Sequence, residues 1–300
     1  MENRNKNSRW LKIGQSRFET GDNYIILDKL ESGLYQIEFD NKKWKIFFTK
    51  LTIDNSNLID LKQEETEEVF NMVKTFCESK DLYRKWNFKY KRGCLLYGVP
   101  GTGKSSIISK SIQYVIDQGG VCFVIKTCEQ LKHFNDIFYS GYREIEATRL
   151  TLAIYEDIDG IVTDTNCETL LINMLDGIGD GNNIFSIATT NYTEKLNDRL
   201  VKRPGRFDRK IEIKSPNYEV RIRFFDAMIP ETHRNDIDIS KWAKDTEGFT
   251  IAELSEFLKS YFLCGESFED SLSIIKNLEK NKTSKDYNKD TKEKIGFTNK

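Results

Sequence analysis

The sequence predicts an α/β fold in which helices wrap a parallel sheet. From Cys94 to Lys214, short apolar runs alternate with helical segments, and this alternation is typical of β–α–β units. The apolar runs are CLLYG, VCFVIK, LAIYED, FSIATT and RKIEIK. A glycine-rich turn follows the first run directly and precedes a helix, which indicates where such a sheet binds a ligand.

Different patterns flank this alternating region. Residues 23–53 contain three β-rich runs separated by ESG and DNKK, which predicts a small antiparallel meander. Because a few strands alone are marginally stable, we expect the meander to lean on a partner surface. After Pro216 the pattern is helical. We therefore predict an N-terminal β-rich module (1–59), an α/β domain (60–215), a helical lid (216–280) and a polar, disordered tail (281–300).

The composition argues against several classes of protein. Lys and Arg total 46 against 47 Asp and Glu, for a net charge of −1, so no global positive field favours nucleic acid or anionic lipid. We expect no membrane partner, because no run of about 18 apolar residues exists and MENRNKNSRW lacks the apolar centre of a secretion signal. The six cysteines contain no CxxC pair. We therefore expect core thiols rather than zinc ligands, in a reducing, cytoplasmic compartment.

The segment GVPGTGKSS (98–106) fits the phosphate-binding pattern GxxxxGK[S/T] in the strand-to-helix context that this motif requires. Its glycines let backbone N–H groups face a phosphate chain, and the helix N-terminus adds partial positive charge. Lys104 can neutralise the β- and γ-phosphates of ATP, and the Ser105 hydroxyl can ligate Mg²⁺. The predicted nucleotide-binding residues here are Gly98, Val99, Pro100, Gly101, Thr102, Gly103, Lys104, Ser105 and Ser106.

A second segment, TLAIYEDIDG (151–160), ends an apolar strand in adjacent acids. The pleat of a strand points Glu156 and Asp157 to opposite faces, so the two acids can hardly share one role. One carboxylate can hold Mg²⁺ through water while its neighbour orients or deprotonates an attacking water. The simpler alternative is a helix-capping acid at a strand-to-helix turn, and we assign that role to Asp159.

Three further stretches complete a pattern. FSIATTN ends a strand at Asn191, whose side chain can hold a water; LLINMLDGIGD precedes it; and KRPGRFDRKIEI carries Arg203 and Arg206 around a tight turn. In order and spacing, residues 60–264 resemble the AAA family of ATPases. The Glu–Asp order of the acids also occurs in the mitochondrial AAA chaperone that translocates the Rieske iron–sulfur protein, and this chain resembles that branch's soluble core without its membrane anchor.

The resemblance implies a role for each acid and arginine. Glu156 takes the Mg²⁺-side position and Asp157 that of the catalytic base, although Asp is one methylene shorter than the usual Glu. Asn191 corresponds to the polar residue near the γ-phosphate. Arg203 and Arg206 would reach the γ-phosphate of a neighbouring subunit, and an arginine in that position can raise turnover by about 10³-fold or more.

The lid and the central pore are also implied by resemblance. GFTIAEL (248–254) resembles the family's GFSGADL, which would place Gly248 and Thr250 near the base or ribose. The aromatic segment Phe138–Tyr142 could form a pore loop that contacts a protein client. Equally, these aromatics could line a buried helix face, because the stretch from Tyr139 to Glu156 is shorter than in threading motors.

We therefore expect an ATPase that works as a homo-oligomeric ring, most simply a hexamer, and remodels an unidentified protein client. Two alternatives remain open. One is a nucleic-acid loader, although the chain shows no helix-turn-helix, zinc or aromatic-basic RNA signature. The other is a nucleotide-gated scaffold that binds ATP and barely hydrolyses it, because the base is shortened to Asp157.

Overall fold

The computed structural model describes residues 9–13, 17–21, 29–40, 42, 45–53, 59–138, 142–176, 183–203, 205–234 and 236–280. The chain divides into two compact units, Met1–Lys214 and Ser215–Lys300. The first unit contains the sheet, and the second is helical in its described part.

Within the described residues, nine strands form one sheet in the order β1-β2-β4-β3-β6-β7-β8-β5-β9. The strands are β1 (Arg9–Ile13), β2 (Arg17–Gly21), β3 (Gly33–Asp40), β4 (Lys45–Leu51), β5 (Lys91–Tyr97), β6 (Val121–Ile125), β7 (Thr151–Tyr155), β8 (Ile184–Thr190) and β9 (Arg209–Glu212). The pairings from β3 through β6, β7, β8 and β5 to β9 are all parallel, whereas β1, β2, β4 and β3 pair antiparallel. The predicted parallel sheet is therefore confirmed.

Helices cover both faces of this sheet. They are α1 (Glu64–Glu78), α2 (Lys80–Lys85), α3 (Lys104–Asp117), α4 (Cys128–Ile137), α5 (Arg143–Ile145), α6 (Ile158–Ile161), α7 (Thr165–Asp176) and α8 (Asp198–Val201). The strand side chains alternate between two cores, as the pleat requires. Leu152 and Ile154 of β7 pack with α1 and α3, while Ala153 and Tyr155 pack with α4 and α7.

The N-terminal strands continue the sheet rather than forming a compact unit of their own. β3 pairs in parallel with β6, from Gly33 opposite Val121 to Gln36 opposite Val124. Phe48 of β4 packs against Phe123 of β6 with the ring centroids 5.3 Å apart. The edge of β6 thus provides the surface against which the meander leans. Residues 22–28, which hold part of the first predicted run, lie outside the described residues.

A buried ion pair ties the start of β3 to the loop before β7. The Glu146 carboxylate accepts the Leu30 N–H at 2.5 Å and pairs with Arg149 at 3.2 Å. Arg149 in turn donates to the Leu30 carbonyl at 2.6 Å and to Ser32 Oγ at 2.9 Å. The side chains of Glu146 and Arg149 are only 2% and 12% exposed, so each charge depends on the other for compensation.

The second unit is a helical bundle with an aromatic core. Its helices are α9 (Tyr218–Met228), α10 (Glu231–Arg234), α11 (Ile239–Asp245), α12 (Ile251–Phe262) and α13 (Phe268–Lys280). Trp242 contacts Phe225 and Phe257 edge-on, with ring centroids 5.7 and 5.2 Å apart, and such pairs stabilise beyond the area they bury. No helix in the described part of the chain is long and apolar enough to cross a membrane.

One pair of cysteines is joined in the first unit. Cys128, the first residue of α4, forms a disulfide with Cys167 in the first turn of α7. The expectation of core thiols holds for Cys94 and Cys122, which are buried and free. It fails for the joined pair, because the packing of α4 on α7 brings together two cysteines 39 residues apart.

We predict that Glu146→Ala lowers the free energy of unfolding by about 3–5 kcal/mol, because it leaves the buried Arg149 charge without its partner. Urea denaturation measures the change. Asp81→Ala is the control, because Asp81 pairs with Arg84 on the surface, where the side chains are 95% and 76% exposed, and no measurable change is expected. Equal effects of the two substitutions would show that the buried pair does not anchor β3.

Candidate functional site

The glycine-rich turn connects β5 to α3 at the carboxyl edge of the parallel strands. Gly98 has φ +144°, and a Cβ at this position would lie 2.3 Å from the Ile213 carbonyl oxygen, so no other residue fits without moving the backbone. Gly103 caps the start of α3 in a left-handed conformation (φ +100°, ψ 13°). The turn therefore has the tight backbone that the sequence predicts for a phosphate-binding loop.

Lys104 lies inside this turn rather than in solvent. Its Nζ donates to the carbonyls of Gly98 at 2.7 Å and Val99 at 2.9 Å. The residue is 9% exposed. Burial lowers the pKa of Lys104 below its ordinary value, and the negative charge of Asp157 partly opposes that shift. The charge of Asp157, after the end of β7, therefore acts on the ammonium group in the loop.

The remaining loop residues line the same turn. Thr102 is buried and donates its hydroxyl to the Val99 carbonyl at 3.0 Å, which stabilises the loop from within. Ser105 and Ser106 are exposed in the first turn of α3, where the helix dipole attracts anions. Pro100 and Gly101 are exposed at the tip.

The two acids after β7 have different partners. Glu156 pairs with Lys126, which follows β6, at 2.8 Å. Asp157 adopts a left-handed conformation (φ 49°, ψ 59°), and its N–H donates to Thr189 Oγ1 of β8 at 3.0 Å. The sequence did not identify Lys126 or Thr189, although each is a polar residue at the end of an apolar strand. For Glu156 to ligate Mg²⁺, it would have to exchange Lys126 for the metal.

Asn191 follows β8 and has the clearest signature of a ligand site. Its side-chain Oδ1 is buried and has no hydrogen-bond partner among the described residues. A buried acceptor without a partner is costly, so such an atom needs a water or a ligand. Neighbouring Thr190 donates its hydroxyl to Asp159 at 2.7 Å, and Asp159 also pairs with Lys195 at 3.6 Å. The predicted helix-cap role of Asp159 is wrong: Asp157 is the N-cap of α6, with no side-chain cap hydrogen bond, and Asp159 instead connects the segments that follow β7 and β8.

The two arginines of RPGRFD differ in their surroundings. Arg203 is exposed. Arg206 is 4% exposed and forms a bidentate pair with Asp176 at 2.7 and 2.8 Å, and it also donates to the Arg199 carbonyl. The hydrogen bond between Arg206 and Asp176 lowers the pKa of the Asp176 carboxyl and raises the pKa of Arg206. Arg206 would have to leave Asp176 to reach another subunit, so its role there stays a prediction.

The structure places the remaining predicted residues as follows. Gly248 has φ +87°, and Thr250 caps α12 in a capping box with Glu253. Both lie in the second unit, and their position beside adenosine stays a prediction. Phe138 and Tyr142 are 1% and 0% exposed, with stacked rings 5.5 Å apart. These two aromatics are core residues, in agreement with the buried-face alternative, while residues 139–141 lie outside the described part of the chain.

Comparison with known proteins agrees with this geometry. Residues 94–215 match the family model described as "ATPase family associated with various cellular activities (AAA)". This part of the first unit is therefore similar to the AAA family of ATPases. The narrower likeness to the Rieske-protein chaperone stays a prediction.

Three named proteins are similar in sequence to about two thirds of this chain. The chain is 29% identical over 215 residues to the "Putative cell division cycle ATPase" of Plasmodium falciparum (isolate 3D7), covering 66% of this chain and 17% of that protein. It is 29% identical to the "ATP-dependent zinc metalloprotease FtsH 3" of Synechocystis sp., over 65% of this chain and 34% of that protein. It is 27% identical to the "26S proteasome regulatory subunit 6A" of Schizosaccharomyces pombe, over 67% of this chain and 48% of that protein. The chain therefore spans less than half the length of each of these relatives.

We predict that Arg206→Ala lowers the free energy of unfolding by about 1–3 kcal/mol, because it removes a bidentate pair whose acid is partly solvated. Arg203→Ala, the matched control in the same turn, is expected to leave stability unchanged because its side chain is exposed. Thermal and urea unfolding of the two variants make the comparison. Equal stability of the two variants would contradict a structural role for Arg206.

Proposed function

We propose that this chain is a Mg²⁺-dependent ATPase that hydrolyses ATP to ADP and phosphate and uses the cycle to remodel a protein client. The observation that carries the proposal is that Lys104, Asp157 and the Asn191 oxygen, which has no partner among the described residues, follow three neighbouring parallel strands. Lysine and carboxylate beside a phosphate-binding turn are the groups that phosphoryl transfer requires.

The residues at this edge fit Mg·ATP. The turn offers a buried ammonium and a helix N-terminus to the phosphates. The Asn191 oxygen has no partner among the described residues and can accept a hydrogen bond from a water. Hard oxygen donors are the ligands that Mg²⁺ prefers, and Ser105 and Glu156 would supply them. Bound Mg²⁺ would neutralise charge on the β- and γ-phosphate oxygens.

The residues of this chain divide the work of hydrolysis. Lys104 binds the phosphates and stabilises the negative charge that develops on them. Asp157 acts as general base and accepts a proton from the attacking water, while Thr189 holds its backbone in the left-handed conformation. Asn191 orients that water through Oδ1.

A homo-oligomeric ring, most simply a hexamer, completes the site in this proposal. Arg203 is exposed and would contact the γ-phosphate bound by the next subunit, and Arg206 would join it after leaving Asp176. Sedimentation with Mg·ATP tests the ring, because full activity in a monomer would contradict it.

The protein client is supported by the relatives' names. One is a protease described as ATP-dependent, and another is a regulatory subunit of the proteasome. We propose a cytoplasmic setting for such a client, in line with the sequence analysis. The nucleic-acid alternative is less favoured because the net charge is −1. Strong, salt-dependent affinity for DNA would reverse that preference.

We predict that Asp157→Asn lowers ATP turnover by about 100-fold or more, because a general base contributes on the order of 10²–10⁴-fold. ATP affinity is expected to remain, since Lys104 and the turn are intact. Single-turnover hydrolysis and nucleotide binding are measured on the same preparation. Asp117→Asn, at the far end of α3, is the control and keeps full turnover.

Two results would contradict this assignment. Unchanged turnover in Asp157→Asn would show that another group is the base. Tight ATP binding with negligible single turnover in the unsubstituted chain would favour the nucleotide-gated scaffold.

A further inference from the structure

The disulfide between Cys128 and Cys167 joins the first turns of two helices on the same face of the sheet. The two Cα atoms are 5.8 Å apart, a spacing that a disulfide bridges without backbone movement. Asp164 lies beside the pair: its carboxylate accepts the Cys167 N–H at 2.8 Å, and its other oxygen is 3.7 Å from Cys167 Sγ. The bond therefore connects two elements that packing already holds together.

The pair differs from the other four cysteines. Cys94 and Cys122 are completely buried, and burial raises the pKa of both thiols. Burial also raises the pKa of the Cys77 thiol to about 12. Cys264 is exposed but free. Thiols of high pKa are poor nucleophiles. Among the six cysteines, only the helix-start pair combines a partly exposed residue with a second sulfur in bonding range.

Access to the pair is one-sided. Cys128 is half-buried, whereas Cys167 is 0% exposed. Both residues lie in the first turns of helices of 10 and 12 residues, where the helix dipole favours a thiolate. At Cys167 the Asp164 carboxylate, which accepts the N–H, opposes that effect. An external reagent would therefore meet Cys128 first, and Cys167 would act on it from within.

The turn that begins with Lys126 connects Cys128 to the candidate site. Lys126 Nζ pairs with Glu156 at 2.8 Å, and its N–H donates to Gln130 Oε1 at 2.8 Å. Gln130 N–H donates to Thr127 Oγ1 at 3.2 Å, which caps α4. A bond that fixes the start of α4 therefore also restricts the lysine that holds Glu156.

We propose that Cys128 and Cys167 form a reversible thiol–disulfide exchange site for small-molecule disulfides of the glutathione type, and that its oxidised state holds Lys126 against Glu156 and slows ATP turnover. The second half of this statement rests on the proposed function. A reversible bond also agrees with a reducing compartment, where disulfides are usually transient and redox-sensing.

The exchange balances in two steps. The Cys128 thiolate attacks the small disulfide RSSR, which forms a mixed disulfide on Cys128 and releases RS⁻. The Cys167 thiolate then attacks Cys128 Sγ, which forms the protein disulfide and releases a second RS⁻. Two protein thiols are oxidised, one RSSR is reduced to two RSH, and the two thiol protons pass through solvent to the released thiolates.

The test compares the full chain equilibrated with reduced or oxidised glutathione. Alkylation and mass spectrometry map the disulfides, and ATP turnover is measured on the same samples. We expect oxidation to join Cys128 to Cys167, to lower kcat by about fivefold or more, and to reverse with dithiothreitol. Cys264→Ser is the matched control and keeps both responses, whereas Cys128→Ser abolishes them.

Two further variants separate the steps. Cys167→Ser is expected to accumulate glutathione on Cys128, because no second thiol resolves the mixed disulfide. Lys126→Gln is expected to form the disulfide normally while losing the redox effect on kcat. If the disulfide were merely structural, Cys167→Ser would not accumulate the mixed disulfide, and Lys126→Gln would not alter the redox dependence of kcat.

The outcomes that overturn the proposal are distinct. Glutathione that reacts at Cys264 but never at Cys128 excludes the exchange site. A reduced chain that holds stoichiometric zinc and resists exchange shows that Cys128, Asp164 and Cys167 form a metal site instead. Normal disulfide formation with unchanged kcat excludes the coupling to Glu156. Absence of ATP turnover in every sample refutes the proposed function, while disulfide mapping still decides the exchange site.

Discussion

The structure depends on the burial of one ammonium group in a tight turn. Lys104 is 9% exposed and is compensated by two loop carbonyls and by the charge of Asp157. Burying such a charge without partners would be costly. The turn must therefore stay tight, which requires glycine at Gly98, and Asp157 must stay near. A triphosphate would supply the negative charge that this arrangement favours.

The two acids that follow β7 have different contacts, and only Asp157 acts on the buried Lys104. The backbone turns at Asp157 into a left-handed conformation held by Thr189, while Glu156 pairs with Lys126. Each acid thus contacts a different neighbour of β7: Asp157 contacts β8, and Glu156 contacts the residue that follows β6. In the proposed redox site, a change at the start of α4 would act on Glu156 through Lys126.

The sequence predicts the parallel sheet, the phosphate-binding turn and the positions of the acids because these are local patterns. Features that depend on distant residues were not predictable in the same way. Nothing near Arg206 in the sequence shows that Asp176 holds it, and nothing near Cys128 shows that Cys167 lies beside it. The parallel pairing of β3 with β6 likewise joins segments far apart in the chain, and loop closure of that kind leaves no local signal.

Calorimetric titration of the chain with Mg·ATP tests the central claim most directly. We expect one nucleotide per chain, and Lys104→Ala is expected to weaken affinity by roughly 10- to 100-fold, the equivalent of a lost charge-assisted hydrogen bond. Lys110→Ala, on the same helix but paired at the surface with Glu67, is expected to bind like the unsubstituted chain. No heat of binding at millimolar Mg·ATP, or equal affinity of the two lysine variants, would contradict a triphosphate site around Lys104.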